Sequence, residues 1–187
     1  MRSFHNDAAV KEKYVARLKA HHKADEIIQG TGFENGRGCA VGCTLDNYSH
    51  KAYETELGLP EWLAYLEDKI FEGLPKKEAA KFAVDFLLAI PVGVDLERVR
   101  WQFCAYILKI EIERVLTLKI SDALKEEVVS AIRGVLVLHE GAIVSGSPSA
   151  RSAAWSARSA ARSAAYQDYA KELLRLLKAS GGQRDGK

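Results

Sequence analysis

Two thiols stand four residues apart in the stretch Gly30 to Asn47, GTGFENGRGCAVGCTLDN, and histidines flank it. Cys39 and Cys43 are two of the chain's three cysteines, and five of its 14 glycines fall in the same 18 residues. His21, His22, Asp25 and Glu26 precede the stretch, and His50 and Glu54 follow it. A thiol becomes a nucleophile when a nearby histidine or a helix N-terminus lowers its pKa. His21 and Asp25 are one helical turn apart, so the carboxylate could orient the imidazole as a base for Cys39 or Cys43. His50 is the rival base, with Glu54 four residues on as its orienting acid. The same residues also read as a metal site. Cys39-x3-Cys43-x6-His50, with His21 or His22 as the fourth ligand, offers zinc a tetrahedral set, although the second half lacks a compact His pair. A third reading is anion binding, in which Arg37 and the amides of Gly36 and Gly38 hold a charged ligand. Neither nucleotide fingerprint is present: there is no G-x-x-x-x-G-K-[ST], and Gly36-Arg37-Gly38 runs into Cys39-Ala40-Val41. The fourth reading is packing. His21 and Asp25 would satisfy amides of the loop, and the cysteines would be small fillers.

The elements that must position these groups are helical. Val10, Tyr14, Leu18, His21, Asp25 and Ile28 recur on one face and predict a first helix over about 7–28. Gly30 to Asn47 reads as an ordered, irregular loop, and no stretch alternates long enough to predict a strand. Ser49 caps a short helix to Leu57, and Pro60 opens the next, with Leu59, Leu63, Leu66 and Ile70 as its buried stripe. Glu67 and Asp68, beside that stripe, read as a solvated face, as do Glu111/Glu113 and Glu126/Glu127. A helix over 76–90 buries Ala79, Phe82, Phe86 and Ile90. Asp95 caps another to about Leu118, apolar on most sides and therefore the candidate central helix, with Trp101 as a core anchor and Cys104 as core filler. Asp122 opens one more, which carries Leu124, Val128, Ile132, Val135 and His139.

After Ser145-Gly-Ser-Pro-Ser149 the chain becomes low in complexity: RSAAWSARSAARSAAYQDYAKELLRLLK. Alanine, serine and arginine form parallel stripes at helical spacing. Residues 149–187 carry eight basic and three acidic side chains, against 19 and 22 in the remainder. This helix docks on the bundle or on another copy, which makes a homo-oligomer the expected assembly. Nucleic acid is a minor alternative, through Arg151, Arg158 and Arg162 with Trp155, Tyr166 and Tyr169. A net charge of +2 over 187 residues argues against attachment to nucleic acid by bulk charge. The longest near-apolar run, Phe86 to Val94, has nine residues, well short of the roughly 20 of a bilayer span. With no apolar signal-peptide core in MRSFHNDAAVKEKY and an odd number of cysteines, the expected compartment is the cytoplasm.

The stretch QGTGFENGRGCAVGCTLDNYSHKAYETELGLPEWLAYLEDKIFEGLP resembles a family of bacterial, phage and prophage proteins without an established activity. SAAR/SAAW-type tails are similar to those of such phage-associated products. The resemblance covers about residues 20–75 and, more loosely, 150–166. It implies a small accessory protein of phage origin, for which counter-defence is a fitting role, and it assigns no catalytic residue.

The expected fold is all-α: an irregular bundle of six or seven helices over 1–144 with the Gly-rich loop pinned to the first helix, a helix over 149–180, and a disordered tail over 181–187. The expected function is a Cys/His/Asp site acting as a thiol-dependent hydrolase or transferase on a small-molecule or protein partner. The alternatives are a non-enzymatic helical binding protein that sequesters a ligand or inhibits a partner, and a zinc-stabilised helical protein. Otherwise no cofactor is expected.

Overall fold

The computed structural model describes residues 1–145 and 163–182. The fold is all-α: eight α-helices among the described residues, with a single two-stranded ladder. In chain order they are α1 (Ala8–Lys23), β1 (Phe33–Glu34), β2 (Arg37–Gly38), α2 (Ala40–Leu45), α3 (Ala52–Leu57), α4 (Glu61–Gly73), α5 (Lys76–Ala89), α6 (Glu97–Thr117), α7 (Asp122–Ser145) and α8 (Ser163–Ala179). None of the described helices is long and apolar enough to cross a membrane. The chain divides into two compact units: Met1–Leu96 with α8, and α6 with α7.

In the first unit α5 packs on α1, α4 and α8, while α2 packs on α1 and α4. Local chemistry sets the helix ends. Asp7 caps α1 by accepting from the Ala9 amide at 2.8 Å. α1 stops at Lys23, short of the periodic pattern, because Asp25 takes a left-handed conformation (φ 61°) and the Glu26 amide turns back to the His21 carbonyl at 3.0 Å. Ile27 and Ile28, which continue the helical period, instead run alongside Gly38. Pro60 and Pro75 sit at the first turns of α4 and α5. Lys11 donates to the Leu88 and Ile90 carbonyls at 3.0 and 2.6 Å, satisfying the C-terminal end of α5. Leu59, Leu63 and Ile70 are buried as their spacing predicts, but the stripe continues through Glu67 while Leu66 is only half-buried. Glu67 is fully buried, which corrects its reading as solvated. In α8 the face Tyr169, Ala170, Leu173, Leu176 and Leu177 is buried, and α8 packs against α4 and α5. That spends the apolar face of the tail helix and removes Tyr169 from any stacking platform. Arg151, Trp155, Arg158 and Arg162 lie outside the described residues.

The second unit is a helical hairpin. α6, read as the central helix, pairs with α7 through Ile112, Val115 and Val129, with Val128, Ile132 and Leu136 packed around them. Trp101 and Ala142 form a smaller cluster, and the ring of His139 meets Trp101 edge-on at 5.7 Å. Glu111 is also buried, contrary to its reading as solvated, and carries the Arg114 guanidinium.

Candidate functional site

The Gly-rich stretch is a β-hairpin followed by a buried helical turn. Asn35 (φ 51°) and Gly36 (φ 78°) form the two-residue turn between β1 and β2, and Phe33 faces Gly38. The hairpin lies directly on α2, all six residues of which are buried. A Cβ on Gly38 or Gly42 would collide with the Gly32 carbonyl oxygen. Here glycine is needed for close approach of backbone to backbone. Gly38 is fully used by the ladder: its amide donates to Glu26 O at 3.1 Å and its carbonyl accepts from Ile28 N at 2.7 Å. Arg37 is exposed and reaches the Asp25 carbonyl at 3.3 Å, beyond the C-terminus of α1. The proposed anion cradle of Gly36, Arg37 and Gly38 is therefore partly consumed by the backbone it was meant to present.

His21 anchors this assembly from α1. Its Nδ1 lies 2.6 Å from Glu26 Oε2 and its Nε2 2.9 Å from Asp46 Oδ1. Carboxylates only accept, so in each contact the ring nitrogen is the donor. Arg17 adds a guanidinium, with Nε 3.0 Å from Asp46 and Nη1 donating to Thr44 O at 3.1 Å. The His21–Asp25 pair expected from helical spacing does not form. Asp25 has left the helix, and Glu26 takes its place. His22 is exposed.

Both thiols are sealed. Cys39 is 1% exposed and caps α2 by accepting from the Gly42 amide at 3.5 Å. Burial pushes its pKa far up, and the neighbouring Asp68 and Glu67 carboxyls add to the shift against the opposing pull of Gly42. Cys43 has no exposed surface and donates to the Gly38 carbonyl at 3.4 Å. Burial pushes it up to about 11, helped by the charges of Glu26 and Asp46. Neither is a resting thiolate at neutral pH.

The groups that do converge meet at Asp68 on α4. Asp68 Oδ2 accepts from Tyr48 Oη and from His50 Nε2, both at 3.2 Å, and the carboxyl lies close enough to the Cys39 thiol to raise its pKa. His50 stacks on Tyr65 with ring centroids 4.0 Å apart, and Tyr48 meets the imidazole edge-on at 5.0 Å. Tyr48 in turn rests against the Gly32 backbone. Its hydroxyl is pushed up to about 12, first by desolvation and then by Asp68, so it stays a donor. Tyr48 and Tyr65 are 47% and 39% exposed, whereas the His50 side chain is 11% exposed. Glu54, expected as the orienting acid of His50, accepts instead from the Glu61 amide at 3.2 Å and closes the start of α4.

No protein-family model matches the chain, and no curated protein and no solved structure matches it significantly.

Beneath Asp68 lies a second carboxyl that sequence reasoning placed in solvent. Tyr53 on α3 donates to Glu67 Oε2 at 2.6 Å, and Glu67 Oε1 is buried without a partner. Desolvation pushes Glu67 up to about 8, with Asp68 adding to the rise and Tyr53 opposing it. The signal was available: Glu67 is four residues after Leu63 and three before Ile70, on the apolar face. Asp68, by contrast, is tied to Tyr48, His50 and Cys39 by tertiary approach alone. Among the described residues no group of three or more His, Cys, Asp or Glu side chains is arranged to hold a metal ion. Cys39, Cys43, His50 and His21 are divided between the Asp68 cluster and the Glu26/Asp46 clamp. In the second unit a cavity of about 410 Å³ is lined by Leu116, Lys125, Val129 and Arg133 with Asp122 and Glu126, a mixture of charges that points to no one ligand class.

Proposed function

We propose that the protein is a non-enzymatic binding protein that engages a protein partner through the Tyr48–His50–Tyr65 face, with Asp68 holding the imidazole. The observation that carries this reading is the contrast in exposure: the two tyrosines stand in solvent while both thiols are closed. Tyrosine supplies large contact area with few rotatable bonds and concentrates at interface hot spots. The aromatic–imidazole stack is also pre-ordered, so little side-chain entropy is lost on binding. The resemblance of residues 20–75 to phage and prophage proteins directs the search for the partner to bacterial cells. Partner inhibition, including counter-defence in the cytoplasm, is the role that fits that setting.

A second reading, a thiol-dependent hydrolase or transferase, is favoured by the meeting of Cys39 and His50 at one carboxylate. It requires a change that brings Cys39 to the surface and lowers its pKa.

The test is a photo-crosslinking residue placed at Tyr65, and at exposed Glu12 as control, in the full chain expressed in bacterial cells. We expect one discrete protein adduct at position 65, absent at position 12 and lost on His50→Ala. No adduct at position 65, or the same adducts at both positions, would overturn the binding reading.

A further inference from the structure

Glu67 makes no part of the Tyr48–His50–Tyr65 face, yet it sits where α2, α3 and α4 meet. From α3 it faces the Tyr53 hydroxyl, which donates to it. α2, whose N-cap is Cys39, packs on α4, and on Glu67's own helix the next carboxyl is Asp68. These groups are neutral or acidic. A carboxyl with no solvent exposure and one oxygen without a partner is tolerated as the acid and costly as the anion.

We propose that Glu67 is a proton-operated latch on Cys39. As the neutral acid it is tolerated in the closed seam, and when its proton leaves to solvent the buried anion has only the Tyr53 hydroxyl for its two oxygens, so the α3–α4 seam opens to hydrate it and the thiol becomes accessible. With Glu67 pushed up to about 8, this event runs to completion just above neutral pH. The latch acts on the site assigned above as a binding face and would regulate it, because the same seam carries Tyr65 and Asp68. An opened seam also supplies the change that thiol chemistry at Cys39 requires.

The experiment is alkylation of the full chain by iodoacetamide from pH 6 to 10, read at each cysteine by peptide mass. Each rate is divided by that of the urea-unfolded chain, which removes the ordinary rise in thiolate. Protection of Cys39 is expected to fall about tenfold per pH unit up to the Glu67 midpoint and to level off above it. Cys104 on α6 should hold its protection, which distinguishes a local opening from unfolding. Glu67→Gln should remove the step, and Tyr53→Phe, which deletes a bond that favours the anion, should move it to higher pH. An identical fall in Glu67→Gln, an unmoved step in Tyr53→Phe, or a level profile in the native chain would overturn the latch. Carbon-13 NMR of the Glu67 carboxyl needs no variant: titration in the ordinary glutamate range would overturn it as well. Crosslinking at Tyr65 is read separately at neutral pH, so loss of the latch and loss of the binding face are distinct results.

Discussion

The carbonyl oxygen of Gly32 occupies the place where a side chain on Gly42 would begin. This contact lets the hairpin lie against α2 and brings Tyr48 over Asp68. Gly42→Ala should cost about 1–3 kcal/mol, the usual range for overpacking a closed core. Gly36→Ala meets no such neighbour and should cost only its left-handed turn, about 1 kcal/mol. Urea denaturation of the two variants checks the order, and a Gly42→Ala protein as stable as Gly36→Ala would contradict the packing described.

The clamp on His21 makes a different kind of forecast. Glu26→Ala removes one of two carboxylates on the ring, and at partial exposure we expect a loss of about 1–2 kcal/mol. Asp25→Asn should be nearly silent, since asparagine also accepts a left-handed turn. Thermal unfolding of the pair decides whether Glu26 rather than Asp25 is the partner of the imidazole.

Stability should fall with rising pH on the alkaline side of the glutamate range. The folded chain keeps a proton on Glu67 up to about 8, whereas an unfolded chain releases it near 4.5. The folded state therefore binds more protons in this window, and unfolding becomes easier as pH rises through it. The contribution is complete below pH 4.5 and gone above 8. Glu67→Gln should flatten the melting temperature between pH 5 and pH 9, and a parallel slope in both proteins would remove Glu67 as the cause.

At pH 6, where the Glu67 latch is closed, the native thiols should alkylate in the order Cys104 before Cys43 and Cys39. Cys104 is half-buried, whereas the other two are closed. Rapid labelling of Cys39 under these conditions, mapped by peptide mass, would restore the thiol-catalysis reading at once.

Leu173→Ala on α8 should cost about 2–5 kcal/mol, because a fully buried leucine leaves a cavity among α4 and α5. Lys171→Ala on the exposed side should cost less than 0.5 kcal/mol, roughly the surface value. Equal losses would show that α8 is not docked as described.

Much of this fold can be read from spacing. Leu59, Leu63 and Ile70, or Phe82 and Phe86, lie where helical periodicity puts them, and Pro60 and Pro75 mark the starts of α4 and α5. The hairpin was harder. Its strands are two residues each, too short to show alternation, and the only trace was Asn35-Gly36, a pair that suits a tight turn. The length of α1 was over-read because Ile28 keeps the period of Leu18 and His21 after the backbone has turned at Asp25. For the site, residue types pointed to the correct region, but partners were assigned by distance along the chain. His50 takes Asp68 over Glu54, and His21 takes Glu26 and Asp46 over Asp25. Such pairings are set by the packing of α4 against α2 and by the turn at Asp25, neither of which leaves a local pattern.

The first unit is assembled from both ends of the chain, with α8 supplying a wall that α1 to α5 leave open. A ribosome delivers α4 and α5 long before Leu173, Leu176 and Leu177 exist to cover them. During that interval the growing polypeptide carries an unfilled groove, and α6 and α7 are free to pair first. Completion of the unit must then wait for the last helix to arrive, so its folding is paced by synthesis of the C-terminal segment rather than by the hairpin and thiols that its N-terminal half already contains.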